Sequence, residues 1–106
     1  MNTYHDHAQS ISFPATGSQR ILGGTGLLMG WAVLETGGVA AATLELYDGF
    51  DATAQLVAVI ALLASQSTRD WLGPGGVQLS EGLFVNVVSG TVRGVCWVRM
   101  RHQGAG

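Results

Sequence analysis

Lysine does not occur in this 106-residue chain. Charge of either sign is sparse: five arginines and seven acidic side chains amount to 11% of residues, against about 25% in an ordinary soluble domain. The net charge of −2 argues against nucleic-acid binding, which needs a basic footprint. A basic helix lying on a membrane surface is disfavoured for the same reason. The single cysteine, Cys96, rules out an internal disulfide framework and any multi-cysteine metal site. The longest apolar run, Leu56 to Ala64, falls far short of the ~20 residues that span a bilayer as a helix. The first residues, "MNTYHDHAQS", are polar and do not have the form of a secretory leader.

The shortage of charge carries an implication. A monomer of this mass exposes roughly 5,600 Å², or one formal charge per roughly 470 Å². Small domains depend on charge for solubility, so the sequence predicts that neighbouring molecules cover much of the surface.

Glycine and short apolar segments are plentiful. Residues 1–17 read as an N-terminal arm, with one apolar stretch at Ile11–Phe13 before Pro14 and Gly17. From Ser18 onward, Gly, Ser, Asp and Pro interrupt the apolar segments about every ten residues. This is the pattern of a sandwich or barrel of short strands. Eight strands are expected, over 20–22, 27–35, 40–47, 55–62, 68–72, 77–79, 82–88 and 91–100. Residues 51–64 also show helical spacing at Leu56, Val59, Ile60 and Leu63. Their β-branched content favours a strand buried on both faces. The expectation is an all-β, antiparallel, jelly-roll-like sandwich over 18–101, with a short tail over 102–106.

The phrase "VVSGTV" places Ser89-Gly90 between two strands, as in a two-residue hairpin. Pairing Val87 with Val92 and Leu83 with Cys96 then puts Leu83, Val85, Val87, Val92, Cys96 and Val98 on one apolar face. Gly94 would leave a gap opposite Val85 for a tryptophan to fill. With Trp31, Val33, Leu44, Leu46 and Trp71, these residues form the candidate core. Phe84, Val95 and Trp97 would cluster on the other face. Together with Ile11 and Phe13 of the arm, they form the candidate interface.

Catalytic chemistry leaves little trace. His5, Asp6 and His7 lack further metal ligands, since the remaining histidine, His102, is at the opposite end. Asp48 and Asp51 lack the ligand series of a calcium loop. No serine sits in a Gly-x-Ser-x-Gly elbow beside a base. The glycine runs at 23–26 and 73–76 lack the Gly-Lys-Ser/Thr of a phosphate loop. Glu35, Glu45 and Glu81 fall in no motif. Cys96 reads as a buried hydrophobe. No catalytic, cofactor or metal site is expected.

Gly30-Trp31, Tyr47-Asp48-Gly49, Trp71 followed by Gly73-Pro74-Gly75-Gly76, Gly82-Leu83 and the "VVSGTV" phrase span about two-thirds of the chain. In these elements the sequence resembles small all-β virion proteins of tailed bacteriophages, notably those of actinobacteria. The resemblance implies a sandwich fold and a structural role on the head or in the tail. The lysine-free, Ala/Gly/Val-rich usage agrees with a high-GC genome.

The expected function is therefore a non-enzymatic virion structural protein. It would be a capsid decoration or minor head protein, assembled in the bacterial host cytoplasm. Its partners would be copies of itself, with a trimer as one form, and the major capsid or other virion proteins. No nucleic acid, membrane or cofactor is expected. The alternatives are a tail-associated minor structural protein and a carbohydrate-binding attachment module that uses exposed aromatics.

Overall fold

Alternation with period two dominates the local structure. In Ala42–Asp48, Ala42, Leu44 and Leu46 are buried, while Thr43, Glu45 and Tyr47 are only partly so. Such a segment can satisfy its backbone and bury one face only as a strand. The computed structural model describes residues 8–100. Its strands are β1 (Gln9–Ser12), β2 (Gly17–Gly23), β3 (Gly26–Glu35), β4 (Ala42–Asp48), β5 (Gln55–Leu62), β6 (Ser67–Trp71), β7 (Val77–Leu79), β8 (Gly82–Ser89) and β9 (Val92–Met100). Among the described residues there is no helix. Residues 51–64 thus hold a strand, β5.

Two antiparallel sheets form a sandwich. Sheet A has the order β1-β9-β3-β6, with β7 also paired to β3, and sheet B has the order β2-β8-β4-β5. Leu28, Trp31, Val33, Val92, Cys96 and Val98 of sheet A meet Leu44, Leu46, Ile60, Leu62, Leu83, Val85 and Val87 of sheet B in one buried cluster. Every expected core residue except Trp71 lies in this cluster. A fully buried leucine such as Leu46 is worth about 2–3 kcal/mol by transfer alone.

Three expectations are corrected by this topology. First, β8 and β9 do not form a hairpin. β8 pairs with β2 and β4 in one sheet, and β9 pairs with β1 and β3 in the other. At Ser89-Gly90 the chain crosses between the sheets, with Gly90 at φ 81, where a side chain would be strained. The two apolar faces therefore look at each other across the core, and Gly94 pairs with Val33 rather than Val85. Second, the described part of the expected arm is built into the sandwich. β1 pairs with β9, Phe13 is buried, and the Phe13 N–H donates to the Gly94 carbonyl at 3.0 Å. Third, β5 is an edge strand, covered on one face only, with Leu56 46% and Val59 55% exposed. His5, Asp6, His7, His102 and the 102–106 tail lie outside the described residues.

Candidate functional site

Two solvent-facing surfaces stand out, one on each sheet. On sheet A, alternation turns Arg93, Val95, Trp97 and Arg99 of β9 away from the core. The register then sets three rows across the sheet: Trp97–Gly30–Trp71, Val95–Ala32–Arg69 and Arg93–Leu34–Ser67. The middle residue of the first two rows is glycine or alanine, so β3 forms the floor of a trough. Larger side chains of β9 and β6 wall it.

Gly30 is required at the head of this trough. A Cβ there would fall 2.2 Å from the Asp70 carbonyl oxygen and 3.2 Å from the Trp97 ring. The indole of Trp97 thus leans over the glycine floor. Trp71, on the edge strand, is 63% exposed. The Arg69 guanidinium lies 5.5 Å from the Trp97 ring centroid, within cation–π range. A cleft of about 450 Å³ is lined by Arg69, Asp70, Trp71 and Trp97. A second cleft, of about 520 Å³, is lined by Ala32, Leu34, Ser67, Arg69 and Arg93 among others. Arg69 is common to both.

On sheet B, Arg20, Phe84, Tyr47 and Leu56 form one outward row. The Tyr47 and Phe84 rings are 6.3 Å apart. Arg20 sits 4.0 Å over the half-exposed Phe50 ring. Next to this row run Glu45 and Val59. The sheet ends at β5, whose flank from Ala52 to Thr68 carries no formal charge. Just beyond it Leu63 is 70% exposed.

Five of the six acidic side chains among the described residues accept hydrogen bonds from the protein itself. Glu35 is buried and accepts N–H bonds from Gly37, Gly38 and Ser65, each at 2.8 Å. The Ser65 bond, then that from Gly38, hold its pKa below the ordinary value, outweighing desolvation; the Gly37 bond adds to the lowering. This carboxylate ties the β3–β4 loop to the β5–β6 loop, two places where the chain passes between sheets. Asp48 accepts from the Ser80 and Glu81 N–H groups at 2.8 Å and fixes the β7–β8 turn. Asp51 accepts from the Thr53 hydroxyl at 2.5 Å and its N–H at 2.9 Å, which lowers its pKa. Asp70 turns inward, accepting from the Trp31 indole N–H at 3.0 Å and the Thr68 hydroxyl at 3.2 Å. The Tyr47 hydroxyl donates to Glu45 at 2.6 Å, a bond that raises the phenol pKa.

Cys96 is fully buried, and desolvation pushes its thiol up to about 12. Such a thiol is not a nucleophile at neutral pH. Among the described residues, no group of three or more His, Cys, Asp or Glu is placed to hold a metal ion.

The five candidate interface residues do not form one surface. Phe13 is in the core, and Ile11, opposite Cys96, packs against it. Phe84 faces outward from sheet B, while Val95 and Trp97 face outward from sheet A. The expected cluster rested on a β8–β9 hairpin that does not form. Trp71, expected in the core, is exposed because β6 lies at the sheet edge. Sequence reasoning missed Gly30 and Arg69. Both acquire meaning only through the β6–β3–β9 pairing, which no local signal reveals. Searches of protein-family models, of curated proteins and of solved structures found no match to this chain.

Proposed function

We propose that this chain is a non-enzymatic structural protein of a bacteriophage virion, a capsid decoration or minor head protein, that self-associates by burying uncharged sheet surface. The observation that supports this most is the β5 margin. Natural sheets protect their edges with lysine, proline or inward charge. β5 instead offers eight residues without a formal charge, with Leu56 and Val59 half exposed. That strand is a ready template for pairing with another chain.

Burial of about 1,000 Å² of apolar surface yields roughly 25 kcal/mol gross, much of it offset by the cost of association. Repetition on a symmetric lattice adds avidity. Pairing of β5 with its own copy gives a twofold dimer. Pairing with a different edge, such as β2, is head-to-tail: it gives a ring where the rotation between copies closes, a trimer being the smallest beyond a pair, and an open filament where it does not.

Strand order offers further support. We read β1-β9-β3-β6 facing β2-β8-β4-β5 as a jelly roll, with β7 as an addition to it. Viral capsid domains use that architecture, although fold analogy alone does not assign function. The sequence resemblance to phage virion proteins points the same way. The decisive experiment is mass spectrometry of purified particles, with copy number, beside light scattering of the isolated protein. A stoichiometric virion component that oligomerises through β5 is expected. A monomer at high concentration, with no copies in particles, would refute the reading.

A further inference from the structure

We infer that the trough on sheet A binds an acidic polysaccharide: pyranose rings bearing carboxylates. This site is on the face away from the core, distinct from the β5 margin, and the inference stands apart from the assembly reading.

Along a strand, the rows of Gly30, Ala32 and Leu34 span roughly 13 Å. The floor is narrow because its first two residues lack bulk. At one end two indoles, Trp71 and Trp97, flank the glycine. An exposed tryptophan on an edge strand has no structural need to be there; its apolar area is unburied. Paired with a second indole across a glycine, it offers the flat apolar surface on which the apolar face of a sugar ring can stack.

Charge comes next. In a chain of net charge −2, every charged residue at an outward position of sheet A is an arginine: Arg69, Arg93 and Arg99. Asp70 also borders the first cleft, but it pairs with the inward-facing Trp31 and its carboxylate is engaged by the Trp31 indole N–H and the Thr68 hydroxyl. Guanidinium groups bind carboxylates through paired N–H donors. Arg69 and Arg93 wall the second cleft, and their rows are about 7 Å apart along the trough. Such wide spacing suits a polymer with widely separated charges. Nucleic acid carries a phosphate every ~3.4 Å of strand and is held by many basic contacts. A groove with so few cations and no lysine is a poor match for it.

The test uses the full chain labelled with ¹⁵N. Oligogalacturonate is the acidic probe; maltohexaose and a thymidine oligonucleotide are the comparators. The chain has three tryptophans, so the indole N–H signals make a resolved set. Those of Trp71 and Trp97 should shift on titration with oligogalacturonate. That of Trp31, bonded to Asp70 on the other face, should move least. Trp71→Ala should weaken binding about tenfold or more, with its melting temperature nearly unchanged because the side chain is exposed. Arg69→Gln should weaken oligogalacturonate about tenfold and maltohexaose hardly at all.

The inference is overturned if no indole signal moves at millimolar oligogalacturonate. It also fails if Trp31 shifts as much as the other two, or if the oligonucleotide binds more tightly than the acidic sugar. Because the wild-type titration alone can give these results, failure of a variant to fold leaves the test intact.

Discussion

The two outward faces of the sandwich share one construction and differ in chemistry. Both are the solvent side of a four-strand antiparallel path with an apolar inner side. On sheet A, small residues on the central strand β3 recess the middle, and arginines and tryptophans rise on both sides. On sheet B, bulky Phe84 and Tyr47 occupy the middle strands, and the exposed apolar residues lie toward the β5 edge. One face is concave and cationic; the other is filled and nearly neutral. A concave face can enclose a narrow ligand, whereas a filled face with an open edge can only adjoin another surface. The difference comes from a few positions: glycine and alanine at 30 and 32 against tyrosine at 47 and phenylalanine at 84.

The most damaging way to break this comparison is to fill the trough from below. Gly30→Val places atoms into the Asp70 backbone and the Trp97 ring. A loss of about 3 kcal/mol, toward the upper end for overpacking, is expected, with a fall in Tm of roughly 10–20 °C for a domain of this size. Thermal melting by circular dichroism checks it, and a Tm within a degree of wild type would mean that β3 and β6 are not so close.

Next in size is the tie between the sheets at Glu35. Glu35→Gln should lower Tm by several degrees at pH 7. The folded pKa of Glu35 is depressed, so its contribution is fully present above the unfolded value, near 4.5. It disappears as pH falls through the lower folded value. Melting curves of both proteins from pH 7 to pH 3 should therefore converge at the acid end. Divergence there would contradict the assigned hydrogen bonds.

Val59→Lys adds a charge to the open margin of sheet B. Monomer stability should change by no more than about 0.5 kcal/mol, while the self-association proposed for β5, followed by light scattering, should be lost. Trp71→Ala should have a similarly small effect on stability and leave the proposed β5 association unchanged, removing only the sugar binding inferred for sheet A. The two variants together sharpen the comparison. If Val59→Lys abolished sugar binding, or Trp71→Ala dispersed the oligomer, the faces would not be independent.

Much of the scaffold was legible in the sequence, because alternation fixes which side chains share a face. Leu44 with Leu46, Leu83 with Val85 and Val87, and Cys96 with Val98 all follow from it. Alternation does not identify the partner strand. Ser89-Gly90 between two alternating segments suits a hairpin and a crossing between sheets equally well, and the structure uses the crossing. β1 was missed because four residues, mostly polar, give too short a signal. Trp71 was misplaced because a large apolar side chain argues for burial, yet an edge strand leaves one side of β6 without a neighbour. Of the trough, only Val95 and Trp97 on β9 could be placed outward together in advance. Trp71 and Gly30 join them through contacts between residues about forty to seventy positions apart in sequence.

The lone thiol at the centre of this sandwich has a practical use. Sealed at Cys96 between facing sheets, its sulfur can meet a water-soluble reagent only when the two layers part. Colour development with a thiol reagent would thus time spontaneous opening of the native fold, without any added label. If copies pack side by side as proposed, that clock should slow as protein concentration rises, so the same reaction would report how strongly assembly holds each molecule shut.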